Sequence, residues 1–500
     1  MSENKKNLRE DQLALLREDP LWDVVIIGGG VIGAGIAVDA ASRGLKTLLV
    51  EARDFSSGAS SRSSQLMLGD IRALTDVRTW GQLIGSLKER NLLLKNAPSL
   101  TKEMSIVVPC YQRGLREIVR LGLGLYDVMG SDVKLGCSSV LSGGTLKRKI
   151  PEIRNEGLHG GVEFFAVKTD DVRLNLALIK TAVAHGATAV NYMAVTAIER
   201  EGGMIRALTL TDQENGETVR VRTRMVFNAA GARADDIRRM VDAKAVNMQR
   251  LSRGTHIVVD KTFMSGAAGV LIPNMTQGRV LMIQPWRNGV LIGTTDLELS
   301  SAEAGNRVSD EEVEYLLKTA SAYLDKPVKQ SDVKASFAGI RSLYCPPRPM
   351  DDRPPMPIEK VSGEHAVRCE FGNMVTVFGG CRTMYRKISA DAILLATLRH
   401  LIPTRLCRTT ELPVMSDDAW DREALEKDCE NHMQGTARLA EYAVFARDYE
   451  FARTAEDVLF RRLRLGQVNI NLAEQLIPYV DAALRFSEVL PASNDLGQNR

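Results

Sequence analysis

The chain has 500 residues, with 65 Lys plus Arg against 62 Asp plus Glu, and a formal net charge of +3. Apolar residues make up 44% and charged residues 25%, the balance of a soluble globular protein with material for two or three domains. Near-neutral charge excludes a mainly electrostatic nucleic-acid binder, and the composition excludes collagen-like and strongly disordered chains.

The seven cysteines are irregularly spaced, without a C-x-x-C pair, and no two histidines form H-x-x-x-H. Neither a disulfide framework nor a metal site is expected. The charged N-terminus, MSENKKNLREDQLALLREDPLW, lacks the apolar core of a secretory signal. No run approaches the roughly 18 apolar residues of a membrane span. These features point to a cytoplasmic protein, with peripheral contact at the inner face of the cytoplasmic membrane left open.

In chain order, a polar leader with a short helix near Asp11–Arg17 precedes Trp22–Ile27, whose β-branched run predicts a buried strand. Gly28-Gly29-Gly30 turns the chain into a helix over Val31–Arg43. Gly44 stops that helix, and Lys46–Glu51 forms a second strand, completing a βαβ unit. Phe55–Ser64 is a Ser/Gly loop, 78–97 a helix and 115–130 an amphipathic stretch. A helix over Asp171–His185 precedes strands near 187–198, 204–212 and 217–227. Leu251–Asp260, Val280–Ile283 and Val290–Gly293 read as strands of a mixed sheet. A Pro-rich loop over 345–357 leads to a strand at Val375–Phe378 and a helix at Lys387–Ile402. A composition shift at 403–416 marks a separate helical domain, placed at 406–500.

Gly28-x-Gly30-x-x-Gly33 follows a strand and opens a helix. Gly28 permits the tight turn, Gly30 lets a pyrophosphate approach the backbone, and Gly33 lets helix pack on strand. The helix N-terminus offers unpaired N–H groups to phosphate. Glu51 ends the second strand, 18 residues after Gly33, where a carboxylate can accept from an adenosine ribose. Met225–Gly231 reads as a strand running into a small-residue turn at Ala230 and Gly231, suited to close passage of a dinucleotide. No second fingerprint suggests a separate NAD domain.

Together with SSGASSRSSQLMLGDIR (56–72), VKTDDVRL (167–174), SRGTHIVV (252–259), IGTTD (292–296), AGIRSL (338–343), FGGCRTMYRK (378–387) and TAEDVLFRRLRLG (454–466), the chain resembles the FAD-dependent glycerol-3-phosphate dehydrogenases. These sit within the wider glycine-oxidase and D-amino-acid-oxidase-like flavoproteins. The resemblance implies an α/β fold: a Rossmann-like FAD-binding domain (about 22–75, 165–235 and 335–403), a mixed-sheet substrate domain (about 76–164 and 236–334), and a C-terminal α-helical cap.

It implies FAD as cofactor, hydride transfer from a secondary carbinol to the flavin, and electron passage to a quinone. Gly28, Gly30, Gly33 and Glu51 then serve the ADP half. Ser60, Ser61, Ser63 and Ser64 serve the pyrophosphate and flavin side, and Gly380, Thr383 and Met384 meet the isoalloxazine. Arg72 and Arg341 anchor an anionic substrate group, Thr294, Thr295 and Asp296 lie nearby, and His256 is a candidate proton acceptor. Oligomeric state, a homodimer included, is left open.

The chain departs from the family's S-S-K-L-x-H-G-G-L-R-Y and F-G-G-K-x-T-T-Y-R patterns. Gln65, Leu68, Asp70 and Ala73 stand for Lys, His, Gly and Tyr, and Cys381 and Met384 for Lys and Thr. Arg382 is a candidate for the charge missing at Cys381. Three readings follow: a dehydrogenase of glycerol 3-phosphate or a related polyol phosphate, a same-fold oxidoreductase for another small hydroxy or amino substrate, and a non-catalytic flavin-binding paralogue.

Overall fold

The computed structural model describes residues 7–18, 21–69, 74, 79–130, 135–273, 280–303, 305, 307–347, 356–358, 361–416, 420–430 and 435–485. A short run of β-branched residues with no polar alternation can bury both faces only inside a sheet. Leu21–Ile27 does so, paired in parallel with Thr47–Val50 on one side and Thr218–Asn228 on the other. Among the described residues this sheet has eight strands. Its main path runs 366–370, 374–378, 218–228, 21–27, 47–50, 188–190, with 204–212 added antiparallel to 218–228 and 193–201 antiparallel to 204–212.

Helix Val31–Ser42 is apolar nearly all round, and it is buried accordingly. With Asp171–Ala184 and Tyr385–Leu398 it packs one face of the sheet around Val24, Ile26, Leu49, Phe227 and Val375. Asp170 caps Asp171–Ala184, its carboxylate accepting from the N–H groups of Val172 (3.0 Å) and Arg173 (3.1 Å).

The second sheet has ten strands among the described residues, in the order 297–299, 249–260, 289–293, 280–286, 269–273, 101–109, 161–169, 66–67. Strand Val333–Tyr344 lies beside Gln249–Asp260, and Ser139–Leu141 beside Gly161–Thr169. Helix Asp310–Ser321, opened by a Ser309–Glu312 capping box, covers an apolar layer of Ile257, Ile283, Ile292 and Leu316. Helices Arg422–Glu430, Gly435–Glu450 and Ile470–Arg485 enclose their own core of Leu439, Tyr442, Val458, Leu459 and Leu463. Between them, Asp457–Arg462 is wound as a π-helix.

The structure departs from the sequence reading in several places. The strand expected near 187–198 is two, Thr188–Val190 and Met193–Glu201. The break falls at Tyr192, whose φ is +54° and whose N–H donates to the Arg53 carbonyl at 2.9 Å. The strand expected at Val280–Ile283 continues to Trp286. Thr101–Pro109, Gly161–Thr169 and Val333–Tyr344 are strands that the pattern did not mark.

Candidate active site

The turn after the first strand leaves no room for side chains. Gly28 has φ +111°, and a Cβ there would lie 2.5 Å from the Ala229 oxygen. A Cβ on Gly33 would lie 1.9 Å from the Gly28 oxygen. A Cβ on Gly30 would press on Ser60 Oγ at 3.1 Å, and that oxygen accepts from the Val31 N–H at 3.0 Å. Val31 opens the helix, so Ser60 sits at its positive end.

Glu51 projects from the tip of Thr47–Val50. Its Oε2 accepts from Gly29 N–H (2.7 Å) and its Oε1 from Arg53 N–H (3.0 Å). Burial raises its pKa, with those two amides opposing. From below, Asn175 Nδ2 donates to the Gly29 carbonyl (2.8 Å) and to Ser56 Oγ (2.7 Å), tying the turn to the following loop.

These groups open onto a cleft of about 1150 Å³ between the two sheets. Glu51, Arg53, Met193 and Val195 line one end, and Gly28, Gly30, Val31, Ser57, Ser60, Ala230 and Gly231 the middle. Gly254, His256, Thr294, Arg341, Gly380, Thr383 and Met384 line the other. Small-molecule pockets span roughly 300–1,000 Å³, so this one suits an extended dinucleotide with a small substrate beside it. The side-chain-free turn at Gly28–Gly30, the carboxylate at the strand tip and the helix N-terminus between them fit FAD.

At the far end, His256 is 3% exposed and stacks on Phe337, with ring centroids 5.2 Å apart. Neither ring nitrogen has a hydrogen-bond partner. Burial, and then the Arg341 charge, push its pKa down to about 3, so the imidazole on the cleft wall is neutral. Arg341 Nη2 donates to Thr294 Oγ1 (2.9 Å) and Nη1 to the Thr295 carbonyl (3.2 Å).

The expected neighbours divide. Thr294 is on the cleft wall, whereas the Thr295 hydroxyl turns away, accepting from Thr255 N–H (2.9 Å) and donating to Glu312 (2.7 Å). Asp296 accepts from Ser252 and pairs with Arg341 at 3.5 Å. Ser63 and Ser64 line the cleft, whereas buried Ser61 presents its carbonyl to Arg464 and Gln467. Arg72, Asp70 and Ala73 lie outside the described residues.

Leu68 and Cys381 stand on the cleft wall. Gln65 is buried behind it, its Oε1 accepting from Trp286 Nε1 at 2.8 Å. Arg382 reaches the wall with its guanidinium on Ser63 Oγ at 2.5 Å. Burial lowers its pKa to about 10, which leaves it cationic at neutral pH. Asn175, Phe337, Glu312 and the arginines of 461–464 were not singled out from sequence. Asn175 lies one residue past the VKTDDVRL segment, and the arginines lie inside TAEDVLFRRLRLG, so each was adjacent to a visible signal.

The βαβ unit, its glycine turn and the cleft shared with a second sheet define a dinucleotide-dependent oxidoreductase. Residues 23–383 match the family described as FAD dependent oxidoreductase. A probable glycerol-3-phosphate dehydrogenase of Encephalitozoon cuniculi is 32% identical, over 94% of this chain and 82% of its own. The mitochondrial glycerol-3-phosphate dehydrogenase of Homo sapiens is 30% identical, over 94% of this chain and 71% of its own. The glycerol-3-phosphate dehydrogenase of Bacillus halodurans, solved in complex with FAD, superposes with a TM-score of 0.73 at 24% identity. That match covers 96% of this chain and 92% of the other. The chain therefore belongs to the FAD-dependent oxidoreductase family, in its glycerol-3-phosphate dehydrogenase group.

Proposed function

We propose that the protein oxidises glycerol 3-phosphate, or a closely related polyol phosphate, to the ketone. The observation that carries this reading is Arg341 beside a neutral, unpaired His256 at one end of a dinucleotide-sized cleft. Bound FAD supplies the acceptor for the hydride. Arg341 binds the phosphate by charge-assisted hydrogen bonds. His256 accepts a hydrogen bond from the carbinol hydroxyl through a ring nitrogen and orients it, and the hydroxyl proton leaves to solvent, because burial and the Arg341 charge keep the ring from holding it. The walls at Leu68, Thr294 and Met384 orient the substrate.

Anaerobic titration tests this: glycerol 3-phosphate should bleach the flavin absorbance stoichiometrically. Bleaching by an amine or hydroxy acid and not by glycerol 3-phosphate refutes it. Leu68 and Cys381 on the cleft wall favour that second reading, because they offer no proton carrier and no cation where the family pattern has both.

The electron acceptor in this reading is a quinone in a membrane surface. Helix Leu115–Met129 supports that contact, with Ile118, Leu121 and Val128 exposed by 71%, 79% and 70%, with Arg116 and Arg120 in its N-terminal half and Arg113 just before it. Burying such a side chain contributes about 1.5–3 kcal/mol, and the arginines suit anionic headgroups. No described helix is long and apolar enough to cross a membrane. Cosedimentation with anionic vesicles, abolished by L121E, checks the contact.

A further inference from the structure

The loop 54–64 has two faces. Its inner face, with Ser57, Ser60, Arg62, Ser63 and Ser64, lines the cleft beside the helix N-terminus. Its outer face is gripped by the C-terminal helices, which lie outside the matched residues 23–383. Asp54, fully buried, accepts from Arg461 Nε at 2.6 Å and Arg462 Nη2 at 2.9 Å. The Ser61 carbonyl accepts from Arg464 and from Gln467 Nε2, the latter at 3.0 Å.

Arg464 also pairs with Asp171. The other Asp171 oxygen accepts from Ser63 Oγ at 2.6 Å, and Ser63 Oγ in turn accepts from Arg382 at 2.5 Å. One guanidinium thus holds the loop backbone at Ser61 and, through Asp171, the hydroxyl of Ser63 on the cleft wall. Arg464 delivers it from a left-handed backbone conformation, φ +67°, which a non-glycine residue adopts only when its surroundings require it. Arg464 and Asp171 are each 1% exposed, so their interaction is little screened by solvent.

We propose that Arg464 is a positioning residue for the cofactor, and that the C-terminal helical domain is through it a working part of the FAD site. Arg464 sets the loop so that Ser60, Ser63 and Ser64 meet the dinucleotide. This goes beyond the substrate reading and rests only on FAD being the occupant of the cleft.

The test titrates cofactor-stripped full-length protein with FAD and follows flavin fluorescence, alongside a thermal melt of the stripped protein. Arg464→Gln alone leaves the buried Asp171 carboxylate with Arg382, at 3.6 Å, in place of its closer cation, so it is combined with Asp171→Asn, which keeps an oxygen for Ser63. The expected result is a melt close to wild type with an FAD dissociation constant at least tenfold higher and an altered visible flavin dichroism. An unchanged dissociation constant in the folded double variant overturns the proposal. Should that variant fail to fold, Gln467→Ala removes the second grip on Ser61. A severalfold weaker FAD affinity supports the proposal, and an unchanged affinity overturns it. Wild-type protein that takes up no FAD would instead overturn the cofactor reading itself.

Discussion

Replacing His256 by Leu should remove a large part of the protein's sensitivity to acid. The imidazole is buried with both nitrogens unpaired, and burial followed by the Arg341 charge takes its pKa from 6.5 to about 3. Below the unfolded value of 6.5 the unfolded chain takes up a proton, whereas the folded chain does so only near 3. Stability contributed by the neutral ring is therefore fully present above pH 6.5 and lost as pH falls towards 3. At about 1.4 kcal/mol per pH unit, the loss is about 2 kcal/mol by pH 5 and about 4 kcal/mol by pH 3. Leu keeps most of the volume against Phe337 and cannot titrate. Urea unfolding of the cofactor-free protein at pH 8, 6.5 and 5 measures the effect. Wild type should lose about 2 kcal/mol more than His256→Leu between the ends of that series. Parallel curves for the two proteins refute the view of His256 as a buried, unpaired neutral imidazole.

Arg341→Ala should raise KM for the substrate about 10- to 150-fold while the flavin spectrum is retained, since a charge-assisted hydrogen bond contributes about 1.5–3 kcal/mol. Steady-state kinetics with glycerol 3-phosphate check it. Gly33→Ala should yield a protein that loses FAD on gel filtration, because the added Cβ would sit 1.9 Å from the Gly28 oxygen. Glu426, whose pKa burial raises to about 7 against the pull of Arg287, binds its proton more tightly folded than unfolded. Its contribution is present below pH 4.5 and lost as pH rises through 7, so Glu426→Gln should flatten the fall in unfolding midpoint between pH 5 and 8.

Legibility in the sequence follows the range of the interactions. The turn from Gly28 to Gly33 is a contact among residues five positions apart, and Glu51 reaches it through the adjacent strand, so composition and spacing expose both. Thr101–Pro109 and Gly161–Thr169 pair with each other from Thr101–Thr169 to Pro109–Gly161. No tight-turn signal joins them, and neither alternates cleanly enough to declare itself. Thr295 shows the limit at the site: the sequence places it next to Thr294, but whether its hydroxyl meets substrate or Glu312 depends on helix Asp310–Ser321 packing beneath it. Arg464 shows the same limit at its widest. It reads as one of several basic residues in a helical stretch, and only burial against Ser61, 403 positions away, turns it from a surface charge into a support of the cleft. A buried arginine is costly unless every donor is used. Three of them within four residues, at 461, 462 and 464, each bonded to the loop at Asp54 or Ser61, therefore mark a junction that the fold holds at considerable expense in desolvation. That expense is intelligible if the geometry of the loop, and not merely its presence, is what the cleft requires.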